Sequence, residues 1–217
     1  MSPSLDELRS QLYSAVVADA LDQLGLRHQS PRVSLLPLTA PNSVLIGRCK
    51  TTLWADMAHV APRPYELELK AVDECQPGDV FIAAAGGSQR SGIWGELLTT
   101  AALNSGCVGA IVDGAIRDVS KISTMSFPVF ARSTCVYDSL NRQRVIDIDV
   151  SVEIDGVSFT PGDLVIADRD GIVVIPQAVE VEAIRLSLAK VQGENTVREA
   201  IRNGMKATDA FRKYGIL

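Results

Sequence analysis

Apolar positions change their period several times along the chain, and each change marks an element. Leu5, Leu8 and Leu12 form one helical stripe behind Ser4 and Glu7, which have capping-box spacing, so a helix is predicted there. A second helix is predicted from about Ala15 to Leu24, stopped by Gly25, a residue able to take the positive φ of a helix terminus. The proline- and serine-rich stretch from Ser30 to Pro41 reads as a loop leading to a strand at Val44-Leu45-Ile46. Pro77-Gly78-Asp79 opens a turn, a β-rich apolar run and a glycine-rich loop, and the same entry returns 84 residues later at Pro161-Gly162-Asp163. Between the copies, WGELLTTAALNSG is a helix pattern ending at Gly106, and GAIVDG is a strand of five residues closed by glycine. Together these pieces make one β-loop-α-β unit.

From Val145 to Pro176 the pattern alternates, with Asp155-Gly156 as a hairpin turn and Asp168-Arg169-Asp170-Gly171 as a second tight turn, which predicts an antiparallel layer. The second turn lacks the further oxygen ligands and the Glu at loop position twelve that a calcium-binding EF-hand needs. Val181, Ile184, Leu188 and Val191 then fall on one helix face, and a last helical stretch runs to Tyr214 before Gly215. The class is α/β with mixed sheets. It is not a regular βαβ repeat, and a (β/α)₈ barrel typically needs about 250 residues.

The chain has 217 residues, 47% of them apolar and 22% charged, the composition of one folded domain. Its 21 basic and 26 acidic residues give a net charge of −5, which disfavours nucleic acid as the main ligand. Cys49, Cys75, Cys107 and Cys135 show no CxxC and no zinc-ligand spacing with His, so they read as reduced, mostly buried thiols. The N-terminal stretch lacks the order of a signal peptide, and no apolar run approaches the ~20 residues of a membrane span. The expectation is a cytoplasmic protein without membrane contact.

Two segments carry candidate chemistry. Gly86 to Leu98 is a flexible loop delivered into a helix start, where free N–H groups and the helix dipole favour an anion such as a carboxylate. Glu96 sits in that first turn and reads equally as an ordinary N-terminal helix acid. The second segment, Asp113 to Asp118, lies at the carboxyl end of a strand, where ligands collect in open α/β sheets. Its adjacent Arg117 and Asp118 can divide two tasks, hard oxygen for a divalent cation and a planar fork for a carboxylate, or else form a surface ion pair or a helix cap.

The string WGELLTTAALNSGCVGAIVDGAIRD, with PGD before it and GDLVIADRDGIVVIP after it, resembles the RraA-like family. That family includes 4-hydroxy-4-methyl-2-oxoglutarate aldolases, oxaloacetate decarboxylases and shorter regulators that inhibit a ribonuclease. The likeness is strongest from Pro77 to Asp118 and from Pro161 to Pro176. It implies a layered α/β/β sandwich of swivelling-domain type over 1–217, with 177–217 a helical extension contacting a neighbouring subunit. It also implies that Asp118 ligates Mg²⁺ or Mn²⁺, that Arg117 grips a pyruvate moiety and neutralises its enolate, and that Glu96 holds an ion-bound water that shuttles protons. Backbone at Gly95, Glu96, Leu97 and Leu98 would take the substrate carboxylate.

The implied activity is divalent-metal-dependent C–C cleavage of a 2-oxo acid with release of pyruvate, in a homotrimer or homohexamer. The tail QGENTVREAIRNGMKATDAFRKYGIL, absent from the shorter regulators, favours the enzyme and offers Glu194, with Glu199 as rival, as a carboxylate crossing to a neighbour's site. The competing expectation is a non-catalytic regulator that binds protein. A methyltransferase is disfavoured because GGSQRSG lacks GxGxxG spacing. Asp56-Met57-Ala58-His59 departs from the glycine-aspartate-asparagine stretch of relatives, so substrate identity stays open, with His59 and Arg90 as candidate pocket residues. Trp54 and Trp94 read as packing residues.

Overall fold

The computed structural model describes residues 3–216; Met1, Ser2 and Leu217 of the expected 1–217 domain and its tail lie outside the described residues. Helix α1 (Leu5–Gln11) begins with both halves of the capping box: the Ser4 hydroxyl accepts from the Glu7 N–H at 3.2 Å, and the Glu7 carboxylate accepts from the Ser4 N–H at 2.7 Å. Helix α2 (Ser14–Gln23) follows, and Gly25 takes a φ of 82° just beyond it.

The sheet is built around one long strand. β2 (Leu45–Asp56) pairs in parallel with β3 (Asp79–Ala84), and β4 (Gly109–Ile116) and β5 (Val129–Thr134) extend that parallel set. β1 (Leu36–Thr39) closes the β5 edge antiparallel. On its other side β2 pairs antiparallel first with β9 (Leu164–Ala167) and then with β6 (Gln143–Ile148), while β10 (Ile172–Ile175) lies beyond β9. β7 (Val152–Ile154) and β8 (Val157–Phe159) form a separate hairpin closed by Asp155-Gly156, both at positive φ as a two-residue primed turn requires.

The two Pro-Gly-Asp turns grip the same part of β2 from opposite sides. The Gly78 carbonyl accepts from the Arg48 N–H at 2.9 Å, and the Asp163 carbonyl accepts from the Cys49 N–H at 2.9 Å. The repeated entry thus marks the two strands that flank β2.

Apolar runs here bury both faces, which is why they read as continuous rather than alternating. Phe81, Ala83, Ala110 and Val112 face the layer that holds α3 (Glu66–Asp73) and α4 (Glu96–Asn104). Val80, Ile82 and Ile111 face the β7–β8 hairpin with its Ile154 and Phe159. Leu164, Ile166, Val173 and Ile175 pack against α1, α2 and α6 (Glu180–Arg202). This is the expected layered α/β/β arrangement with mixed sheets, and α7 (Ala207–Tyr214) ends the helical tail before Gly215 at φ 68°.

Several boundaries differ from the sequence reading. β4 does not close at Gly114 but runs on to Ile116, because the strap that precedes α4 supplies a further partner. β1 forms inside the proline-rich loop, where edge position tolerates Pro37. β6 joins the main sheet instead of the β7–β8 layer. Val181 is 79% exposed, so the buried stripe of α6 begins at Ala183 and Ile184. Trp54 and Trp94 are buried as expected, with Trp94 stacked on Phe127. Cys49, Cys75 and Cys107 are buried and Cys135 is half-buried, all as free thiols.

Candidate active site

A short strap delivers the chain into α4 and builds the site. The Gly92 N–H donates to the Tyr137 carbonyl at 2.8 Å, the Ile93 N–H to the Ala115 carbonyl at 2.9 Å, and the Arg117 N–H to the Trp94 carbonyl at 2.8 Å. The strap is therefore stitched between the end of β4 and the segment after β5. Gly92 is required at this crossing, since a Cβ there would lie 2.6 Å from the Cys135 carbonyl oxygen.

Arg117 and Asp118 emerge where β4 ends, before the four-residue helix α5 (Val119–Ile122). Asp118 is left-handed, with φ 58° and ψ 26°, a strained conformation for a side-chain-bearing residue that Asp tolerates better than most. Its Oδ2 accepts from the Glu96 N–H at 3.2 Å, at the positive end of α4. The approach depends on Gly95, where a Cβ would stand 2.9 Å from that oxygen. Arg117 points Nη2 at Asp138 Oδ2, 2.6 Å away, and holds Nε 3.9 Å from Asp118 Oδ2. Asp138 Oδ1 also accepts from the Tyr65 hydroxyl at 2.6 Å and from the Leu140 N–H at 2.7 Å. Burial works to raise the Asp138 pKa, but these donors outweigh it and hold the group below the usual carboxylate range.

These residues share a cavity of about 270 Å³ with Leu97 and Leu98 of α4 and with Glu68 and Leu69 of α3. As the second and third residues of α4, Leu97 and Leu98 have N–H groups with no i−4 helical acceptor. α3 contributes Glu68, which is only 6% exposed. Among the described residues no hydrogen bond or ion pair reaches its carboxyl group. Burial, followed by the charge of Asp138, pushes its pKa up to about 8, against a weaker opposing pull from Arg117.

The Glu68 shift has a consequence for stability. Between pH 4.5, where an ordinary Glu ionises, and about 8, the folded chain binds one proton that the unfolded chain has released, so stability falls as pH rises through that window. Glu68→Gln removes this dependence. In EDTA, the variant is expected to melt close to wild type at pH 5 and well above it at pH 9, a change of roughly 4 kcal/mol between the two pH values. Parallel melting curves at both pH values would show that Glu68 is ionised in the fold.

The expected site residues do not all converge. Gly95, Leu97, Leu98, Arg117 and Asp118 line the cavity, whereas the Glu96 carboxylate turns along its own helix, 3.3 Å from the Thr100 hydroxyl. Asp113 points elsewhere, buried and paired with Arg132 at 2.5 Å. Glu194 is outside the cavity, hydrogen-bonded by the Tyr13 hydroxyl and flanked by Lys190 and Arg198, each at 3.9 Å. Glu199 is exposed and pairs with Arg202 at 2.7 Å. Arg90 donates to the Met57 carbonyl at 3.2 Å, Asp56 accepts from the Ser88 hydroxyl at 2.7 Å, and His59 is exposed; none of the three lines this cavity.

Tyr65, Glu68, Leu69, Asp138 and Ser139 are the lining residues that the sequence reading did not reach. For Glu68 a signal existed: with Ala71 and Val72 it occupies the buried face of a short amphipathic helix, an unusual place for an acid.

Among the described residues no cluster of three or more His, Cys, Asp or Glu side chains stands ready to cage a metal. The donor set still fits a hard, water-rich cation. Asp138 is saturated by Arg117, Tyr65 and a backbone N–H, while Asp118 takes one N–H at Oδ2 and no hydrogen bond at Oδ1 among the described residues. Mg²⁺ characteristically takes one or two carboxylates and completes its shell with water and substrate oxygens.

Comparison with known proteins agrees with this architecture. A family model described as RraA-like (Aldolase/RraA) matches residues 14–174. The chain is 33% identical over 196 residues to a protein of Halalkalibacterium halodurans provisionally named as a 4-hydroxy-4-methyl-2-oxoglutarate aldolase, covering 90% of this chain and 87% of that protein. An uncharacterised Pseudomonas syringae protein superposes with a TM-score of 0.85 at 28% identity, over 97% of this chain and 93% of its own. Streptomyces coelicolor RraAS2, described as an unusual member of the RNase ES inhibitor RraA protein family, superposes with a TM-score of 0.78 at 29% identity, over 91% and 98%. By the family match across most of its length, the chain belongs to the RraA-like family.

Proposed function

We propose that this chain is a divalent-metal-dependent carbon–carbon lyase that cleaves a 2-oxo acid of the 4-hydroxy-4-methyl-2-oxoglutarate or oxaloacetate type and releases pyruvate. The observation that carries the reading is the pairing, in one cavity, of Arg117 with an Asp118 carboxylate whose Oδ1 takes no hydrogen bond among the described residues. Such a pair suits a reaction whose products pass through an enolate. Bound at Asp118, Mg²⁺ or Mn²⁺ supplies Lewis-acid polarisation of the 2-oxo group.

Each residue then has a task its position supports. The Leu97 and Leu98 N–H groups, at the positive end of α4, receive the substrate carboxylate. Arg117, aimed by Asp138, holds its guanidinium where negative charge grows on the enolate oxygen. Gly95 leaves room for Asp118 beside the helix start. Glu96 reaches a water at the cavity rim by turning away from Thr100, and from there moves protons. Glu194 or Glu199 completes the site of a neighbouring subunit in a homotrimer or homohexamer, with the 177–217 extension as the contact. For Glu194 this requires exchanging the Tyr13 hydroxyl for the neighbour's cavity. We place the protein in the cytoplasm, consistent with the absence of any helix among the described residues long and apolar enough to cross a membrane.

A second reading has its own support in the similarity to Streptomyces RraAS2: a regulator that binds a ribonuclease through its surface. Pyruvate release separates the two. With Mg²⁺ or Mn²⁺, oxaloacetate or 4-hydroxy-4-methyl-2-oxoglutarate is expected to yield pyruvate well above the uncatalysed rate, detected by coupled reduction to lactate. Silence on both substrates, together with co-purification of a ribonuclease, would favour the regulator.

A further inference from the structure

We infer that Glu68 is the acid that hands a proton to the enolate carbon in this cavity, an inference that rests on the lyase reading above. Among the described residues, three carboxyl groups and one guanidinium line the cavity, and their surroundings separate them. Asp118 takes a backbone N–H at the start of α4. Asp138 takes Arg117, Tyr65 and a backbone N–H. Glu68 takes nothing: buried on α3, it has no donor among the described residues, yet its carboxyl oxygens are not sealed in and open onto the space they line.

The surroundings of Glu68 favour its neutral form. Asp138 faces it with negative charge, and Arg117, the one cation among the described residues that line the cavity, is already engaged by Asp138. From the residue just before its own helix comes the Tyr65 hydroxyl, directed at Asp138 rather than at Glu68. α4 adds the apolar Leu97 and Leu98, while β2 and β6 contribute Trp54 and Val145 to the apolar cluster that holds Ala71 and Val72. Lys50 reaches this helix only at Glu74, near its far end, at 3.8 Å. A carboxyl in such a place keeps its proton at neutral pH, as burial dictates. A neutral acid beside Arg117 is the arrangement that enolate quenching needs: one group stabilises the oxygen, the other supplies the carbon.

The step balances. Cleavage leaves the electron pair of the broken C–C bond in the enolate. C3 takes the Glu68 proton, the enolate oxygen returns to a carbonyl, and Glu68 remains as a carboxylate that is reprotonated by the water at the cavity rim from which Glu96 moves protons. With oxaloacetate this is the proton consumed overall, since the dianion plus one proton yields the pyruvate anion and carbon dioxide. In aldol cleavage the proton lost from the substrate hydroxyl offsets it.

The test compares two rates in one protein. In D₂O with Mg²⁺, proton NMR follows exchange of the pyruvate methyl hydrogens, which requires proton transfer at C3, while a coupled assay follows oxaloacetate decarboxylation, which can end with release of the enolate. Glu68→Gln, nearly isosteric with the neutral acid, is expected to lower exchange at least a hundredfold and decarboxylation less than tenfold. Glu68→Asp, an acid one carbon shorter, is expected to restore part of the exchange. Binding of oxalate, a planar mimic of the enolate, serves as the check that the cavity is intact. Exchange at the wild-type rate in Glu68→Gln would overturn the inference, and so would an equal loss of both rates, which marks a structural role. If wild type itself neither exchanges nor releases pyruvate, the lyase reading falls and takes this inference with it.

Discussion

Asp118→Asn is expected to lower metal-dependent pyruvate release by about a thousandfold or more, equivalent to roughly 4 kcal/mol of transition-state stabilisation, while leaving the melting temperature within a degree or two. The small structural effect follows from the backbone. Asp118 sits at φ 58°, and Asn is the residue that tolerates this region as readily as Asp. The amide oxygen of Asn can still accept the Glu96 N–H that now reaches Asp118 at 3.2 Å. What disappears is the negative charge beside Arg117, the one feature a hard cation needs from this side chain. Metal-dependent turnover at the wild-type level in Asp118→Asn would remove Asp118 from the ligand set.

Arg117→Ala is expected to cost about a hundred- to a thousandfold in kcat/KM, the usual magnitude for deleting one charge-stabilising contact to a developing oxyanion. Arg117→Lys should recover little of it. The guanidinium reaches Asp138 with Nη2 at 2.6 Å while holding Nε 3.9 Å from Asp118, and one ammonium nitrogen cannot occupy both places. Truncation also leaves Asp138 with only Tyr65 and a backbone N–H, so a modest fall in melting temperature should accompany the kinetic loss. A kcat/KM unchanged in Arg117→Ala would exclude the guanidinium from the chemistry.

What could be read in advance was local. The Ser4–Glu7 capping box, the Gly25 and Gly215 helix stops and the Asp155-Gly156 turn depend on residues a few positions apart, and all formed as expected. The apolar runs of β3, β4, β9 and β10 were legible because strands buried on both faces carry no polar interruptions. The ends of elements were less so. β4 continues beyond Gly114 because the Gly92 strap pairs with it, a contact across more than twenty positions that no spacing rule contains.

The site divided along the same line. Arg117 and Asp118 were recognisable at a strand end, and Gly95 and Leu97 at a helix start, since strand ends and helix starts are where backbone geometry favours ligands. Tyr65, Glu68 and Asp138 belong to the site only because α3 and the segment after β5 fold over it. Glu96 and Glu194 illustrate the converse. Each lies on the expected helix, yet the direction of its carboxylate is set by Thr100 in one case and by Tyr13 in the other, and helical spacing does not encode those partners.

If Asp118 makes this cavity a metal-dependent lyase site, pyruvate release depends both on the ion and on this one carboxylate. The most direct measurement is pyruvate release by one chelator-stripped preparation, with and without added Mg²⁺ or Mn²⁺, run beside Asp118→Asn. The expected result is release that EDTA abolishes, that either ion restores in wild type, and that neither restores in the variant. Release that persists in EDTA, or that returns equally in Asp118→Asn, would contradict a metal-dependent site at Asp118.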